Sequence, residues 1–231
     1  MPPLSIIPVE GIGEVQPGDN LADVIAEHAD LVEGDVVVVT QKIVSKAEGR
    51  LVQVDPDDRD ARRALVESES VRILRRRGDL IISETRHGFV CANAGIDLSN
   101  VDAGWAALLP VDSDRSARRI RDALRATRGV EVGVVISDTF GRPWRQGLTD
   151  VAIGVAGLAA VVDLRGTEDA LGRELQVTEV AVADEVASAA ELVMGKSSGV
   201  PVAIVRGLDR SWFRESSARE LVRGPAEDLF R

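Results

Sequence analysis

A single cysteine, Cys91, and only two histidines, His28 and His87, stand among the 231 residues. One cysteine excludes an internal disulfide and suits a reducing compartment, so the chain is expected to work in the cytoplasm. So few thiol and imidazole ligands argue against a zinc site of the usual His/Cys kind. Any metal should be held by oxygen, which suits Mg2+ or Mn2+ bound by one or two carboxylates and substrate phosphates. Long apolar runs are missing too: VAIGVAGLAAVV stops at Asp163 and is too short to span a bilayer. The opening MPPLSIIPVEG has neither a basic stretch nor a long apolar core, so no export signal is expected. Excess positive charge is also absent. With 28 Lys and Arg against 38 Asp and Glu, the formal charge is −10, which argues against binding nucleic acid or an anionic membrane.

What is present is a globular balance of 45% hydrophobic and 29% charged residues. That is enough chain to bury a substantial core, as one unit over residues 1–231 or as two interleaved lobes. Apolar, β-branched runs predict strands at 4–9, 35–40, 50–54, 79–83, 88–92, 130–137, 159–164 and 201–206. Helical spacing predicts helices at 20–31, 57–77, 114–127, 178–194 and about 215–222, with Thr178 as a cap and Gly195 as a stop. Strands interleaved with helices imply a mixed α/β (α+β) fold. A weak lobe boundary is expected near Val101–Pro110. The basic run Arg72–Arg77 then closes the predicted helix 57–77, where cations complement the dipole.

The oxygen ligands concentrate in two places. Asp138 and Thr139 follow the strand 130–137 in SDTFGRPWRQG, and ligands gather at strand ends in open α/β sheets. Arg142 and Arg145 add two guanidinium forks, suited to a phosphate or carboxylate. Asp97 and Asn100 lie three apart in the turn DLSN, which reads equally as a plain turn or helix cap. TQKIVSKAEGR follows the run DVVVVT and places Lys42 and Lys46 four apart, either at a phosphate or on an exposed edge. MGKSSGVP (194–201) contains Gly-Lys-Ser but is not a Walker loop. That motif needs glycine at 190, where Ala190 stands, and a preceding strand where helix is predicted.

These segments run in one order: PVEGIGEVQPGDNL, TQKIVSKAEGR, the DLSN turn, ISDTFGRPWRQG with GLTDVAIG after it, TEVAVADEVASAAELVMGK and PVAIVRG. In that order, over nearly the whole chain, the sequence resembles the coenzyme F420-0:γ-glutamyl ligases. The resemblance implies a homodimer with a mixed α/β fold unlike P-loop or ATP-grasp enzymes. It also implies GTP-dependent joining of L-glutamate to coenzyme F420-0, and of further γ-linked glutamates, through an acyl phosphate. Mg2+ or Mn2+, commonly helped by K+, would serve the reaction. Some relatives carry a fused flavin-binding domain; this chain is expected to need no flavin.

Carried over by position, Gly11, Ile12, Gly13, Glu14, Gln41, Lys46 and Asn100 match nucleotide contacts. So does the segment Met194, Gly195, Lys196, Ser197, Ser198, Gly199, Val200 and Pro201. Asp97 and Asp138 would hold one divalent ion and Thr139 a second. Some members have glutamine at the position of Lys196, associated with that second ion, and a protonated lysine cannot ligate. Lys46 and Asp138 are expected in catalysis, with Arg142 and Arg145 gripping an anionic substrate. Two rival readings share these residues: a Mg2+-dependent phosphohydrolase, and a non-catalytic GTP sensor.

Overall fold

The computed structural model describes residues 3–55, 57–99 and 103–229. Its centre is a five-stranded mixed sheet built from β1 (Ser5–Pro8), β2 (Val36–Thr40), β8 (Gly133–Arg142), β9 (Arg145–Ala156) and β12 (Val202–Arg206), in the order β1-β12-β2-β8-β9. Only β2 and β8 run parallel, and every other pairing in this sheet is antiparallel. The run VVVVT has no polar alternation because both faces of β2 are covered. Val37 and Val39 enter one core with α1 (Leu21–His28) and α4 (Ser113–Arg128). Val36 and Val38 enter the other, under α5 (Val182–Met194). Asp35, fully buried at the start of β2, is held by a two-pronged ion pair to Arg206, at 2.8 Å (Nε–Oδ1) and 2.9 Å (Nη2–Oδ2).

A parallel pair needs a crossover, and this one carries α2 (Gln41–Ala47), a small lobe and α4. The lobe contains β3 (Leu51–Gln53) paired with β7 (Trp105–Ala107), helix α3 (Arg59–Ser68), and a meander of β4 (Ser70–Arg77), β5 (Leu80–Thr85) and β6 (Val90–Ala92). Val66, Ile81 and Ala94 form its own small core. Beyond β9, β10 (Val162–Asp163) and β11 (Glu179–Val180) make a short ribbon before α5. The architecture is mixed α/β, as the sequence pattern predicts.

Several local expectations are corrected. The helix predicted over 57–77 ends at Ser68, and Arg72–Arg77 lie in β4. Arg72 and Arg76 there pair with Glu84 and Glu67 at 3.0 and 2.8 Å, so this run is no helix end. The strand at 130–137 starts at Gly133 and continues to Arg142, so SDTFGR is strand and the turn follows it. Its partner β9 has no counterpart in the sequence reading. The stretch 159–164 supplies only the two residues of β10, and 215–222 only a single 3-10 turn at Ala218–Leu221. Thr178 is no cap: α5 starts at Val182 after Ala181, without a side-chain cap. Gly195, at φ 61°, does end it. QKIVSKA is a helix that starts directly after Thr40, the last residue of β2.

Between Ile136 and Ser137 the β8–β9 register shifts by one. Ile136 faces Gly154, and Ser137 faces Ala152, leaving Ile153 as an extra residue on β9. Such a bulge turns the following side chains of that strand to the other face. Beyond it Thr139 stands opposite Asp150. Gly154 fits this packing because a Cβ there would lie 2.4 Å from the Ser113 carbonyl oxygen.

Candidate active site

The carboxyl ends of the parallel strands β2 and β8 open into a cleft of roughly 450 Å³. This is where an open sheet leaves space for ligands, since neighbouring connections depart to different sides. Thr40 and Ser137, paired across β2 and β8, form its floor. One wall is α2, which starts directly at the end of β2. Spacing of four puts Lys42 and Lys46 on the same side of that helix, and both reach the cleft. Lys46 is 7% exposed and ion-paired to Glu14. Gln41 accepts a hydrogen bond from the Ser45 hydroxyl at 2.9 Å, while its Nε2 is buried without a hydrogen-bond partner. A buried donor left unmatched costs free energy unless a ligand takes it.

Asp97 enters from the small lobe. Its backbone bridges Ala107, its Oδ1 accepts from the Ser99 N–H at 2.6 Å, and Asp97 itself lines the cleft. Lys42 Nζ lies 2.8 Å from Asp97 Oδ2. Burial works to raise the Asp97 carboxyl, but the Lys42 ammonium and the Ser99 donors outweigh it and hold the group below its ordinary range.

Asp138 lines the same cleft from β8, near enough to feel the Asp97 charge. Burial foremost, and then the carboxylates of Asp97 and Asp150, push it up to about 7 against the opposing hydrogen bond from the Thr139 N–H. Behind it the Cys91 thiol is driven up to about 12, first by burial and then by the Asp138 charge, so it is no nucleophile at neutral pH. A buried carboxyl raised in part by neighbouring carboxylates calls for a cation. Among the described residues no group of three or more His, Cys, Asp and Glu side chains forms a metal site. Two carboxylates fit a hard ion that takes its remaining ligands from phosphate and water. His28 and His87 contribute nothing here: each ring bonds backbone carbonyls, of Val24 and of Pro110 and Val111.

Another wall is the segment between α5 and β12. Met194, Gly195, Lys196, Ser197, Gly199, Val200 and Pro201 line the cleft, whereas the Ser198 hydroxyl turns back to the Met194 carbonyl. From the N-terminal segment Ile12, Gly13 and Glu14 line it and Gly11 does not. Gly11 makes the turn, at φ 83° and against His28. Asn100 lies outside the described residues. Arg142 and Arg145 face each other at the tip of the β8–β9 hairpin, exposed and outside the cleft lining, with Arg142 bonded to the Gln146 carbonyl. The structure thus gathers Asp97, Asp138, Thr139, Gln41, Lys46 and the 194–201 segment, and leaves the two arginines apart.

A profile described as F420-0:Gamma-glutamyl ligase matches residues 11–207. The chain belongs to this family. Its relatives include two archaeal proteins named coenzyme F420:L-glutamate ligase, each 46% identical. That from Methanopyrus kandleri aligns over 100% of this chain and 99% of its own length. The one from Methanothermobacter thermautotrophicus covers 99% of each. A third protein of that name, from Methanocaldococcus jannaschii, is 40% identical over 92% of this chain and 90% of its own. The matched span of the family includes every wall of the cleft.

Lys42, read from the sequence together with Lys46 as a phosphate contact or an exposed edge charge, lines the cleft, whereas Asp150 has no role in that reading. Asp150, 2% exposed, accepts hydrogen bonds from Ser137 Oγ at 3.3 Å, Thr139 Oγ1 at 2.7 Å and Lys196 Nζ at 2.6 Å. It stands inside the quoted GLTDVAIG, but only the register shift at Ile153 brings it to face Thr139.

Proposed function

We propose that this chain uses GTP to join L-glutamate to coenzyme F420-0, and then adds further γ-linked glutamates. The carrying observation is the meeting of Asp97, Asp138, Lys46, Gln41 and the 194–201 segment in one cleft, in a chain of this family. A carboxylate oxygen of F420-0 attacks the γ-phosphorus of GTP, the bond to GDP breaks, and an acyl phosphate forms. The glutamate amine then attacks the acyl carbon, phosphate leaves, and the amine loses a proton to give the amide.

Attack of a carboxylate on a triphosphate brings anions together, so the site must supply positive charge. Lys46 and Lys42 supply part of it from α2, and Gln41 Nε2 is a donor awaiting an acceptor. Asp97 and Asp138 would hold Mg2+ or Mn2+, which neutralises charge on the phosphates when bound, with K+ as an assisting ion. Within one chain Arg142 and Arg145 do not line the cleft, so gripping the acidic substrate falls to the lysines. The working unit is proposed to be a cytoplasmic homodimer, because Trp144 and Leu148 on the hairpin tip are 80% and 69% exposed and would be covered by a second copy.

Mass spectrometry of F420-0 incubated with the protein, L-glutamate, GTP and Mg2+ tests this reading. Products heavier by glutamyl units, formed only with GTP and glutamate present, are expected. Phosphate released regardless of glutamate, with F420-0 unchanged, would instead favour a phosphohydrolase, and bound GTP without turnover a sensor.

A further inference from the structure

The second divalent ion is the part of the family pattern that this chain's residues do not fit. Thr139, the residue matched to that ion, donates its hydroxyl proton to Asp150 Oδ1 at 2.7 Å and accepts from Lys196 Nζ at 2.7 Å. Lys196 Nζ also contacts Asp150 Oδ1 at 2.6 Å and Glu191 Oε1 at 3.3 Å. Two carboxylates and a hydroxyl around one point are the oxygen set of a hard cation, and the cation at that point is the chain's own ammonium.

We propose that Lys196 replaces the second divalent ion, so that this chain holds a single one, at Asp97 and Asp138. The inference rests on the ligase reading of the cleft. It also identifies Asp150 as the positioning residue that anchors the ammonium.

Three features of the site support it. Asp150 is 2% exposed, and a buried carboxylate needs a permanent partner. Lys196 is its ion-pair partner among the described residues. Lys196 itself is half exposed and lines the cleft, so its charge is presented to whatever anion binds there. Asp150 is also rigidly placed. The Ser188 hydroxyl donates to its backbone carbonyl at 2.7 Å, and α5 thereby fixes the strand that carries it. A tethered ammonium carries one charge where a divalent ion carries two, and it cannot dissociate.

The test is the count of Mn2+ ions bound per chain, read by electron paramagnetic resonance with and without GTP, in the unaltered protein, Lys196→Gln, Lys196→Arg and Asp150→Asn, and in Asp138→Asn made in the unaltered and the Lys196→Gln backgrounds. Thermal melts confirm that each variant is folded. Lys196→Gln is expected to bind one ion more than the unaltered chain, because it frees Asp150, Thr139 and Glu191. Lys196→Arg, which keeps the charge, should show no gain. Equal counts in folded Lys196→Gln and the unaltered protein overturn the proposal. So does a second ion in the unaltered protein that is lost on Asp150→Asn, a measurement that stands even if Lys196→Gln does not fold. Asp138→Asn separates this inference from the reading it rests on. If Asp138→Asn removes no ion from either background, the Asp97–Asp138 assignment fails, whereas the gain on Lys196→Gln is judged on its own.

Discussion

Asp184 Oδ1 accepts a hydrogen bond from the backbone N–H of Ala152 at 2.8 Å, reaching from the first turn of α5 to the bulged part of β9. The bulge takes this N–H out of the regular ladder, and Asp184 gives it a partner. Asp184→Ala would leave the N–H unpaired, at a cost of about 1–3 kcal/mol. A lower melting temperature is expected, with smaller loss in Asp184→Asn, whose side-chain oxygen can still accept. An unchanged melt of Asp184→Ala would show that the bulge does not depend on this bond.

Asp138 links stability to pH. Its carboxyl is raised from 3.8 to about 7, with burial the largest cause. The folded state therefore holds the proton more tightly than the unfolded state does. The resulting stability is fully present below about pH 4 and is lost as pH rises through about 7. Asp138→Asn removes this charge, so its melting temperature should exceed that of the unaltered protein at pH 8 and approach it near pH 4. In a chain of this size each kcal/mol moves the midpoint by about 2–4 °C. Ligation by the same variant should fall by orders of magnitude. Near-normal turnover in the folded variant would remove Asp138 from the ion site.

Lys46 is held against Glu14 with little exposure, so truncation takes a positioned cation from the cleft. Lys46→Ala is expected to raise the KM for GTP by roughly 10- to 100-fold, the range for losing a hydrogen bond to a charged group. Steady-state kinetics at varied GTP reads it. An unchanged KM and rate would assign the lysine to structure alone.

The hairpin tip carries the proposed self-association. Trp144→Ser combined with Leu148→Ser should shift the protein from dimer to monomer, measured by light scattering across a concentration series. A dimer equally stable in the double variant would place the interface elsewhere.

The central strands were legible because β2, β8 and β12 are buried on both faces, and unbroken valine and isoleucine runs are the direct imprint of that burial. β9 was not, because GLTDVAIG is rich in glycine and small residues, and its extended form comes from pairing with β8. Arg72–Arg77 misled for a related reason. Acids on α3 and β5 pair with two of its four arginines, Arg76 and Arg72, and no local pattern announces partners nine and twelve residues away. Asp97, Asp138 and Lys46 could be picked out by residue type and motif order. Asp150 could not, since its place opposite Thr139 depends on one extra residue, Ile153, in its own strand.

Asp97 and Asp138 belong to different parts of the molecule. The first is stitched to β7 of the small lobe, and the second is embedded in the main sheet. Any ion shared by the two would therefore add a clasp to a seam that the Lys42–Asp97 ion pair and the edge contact of Phe89 with Phe140 already hold. Loading the site would tighten the seam as well as balance its charge, so the readiness of the enzyme to react and the fit of its two halves would be set by a single event.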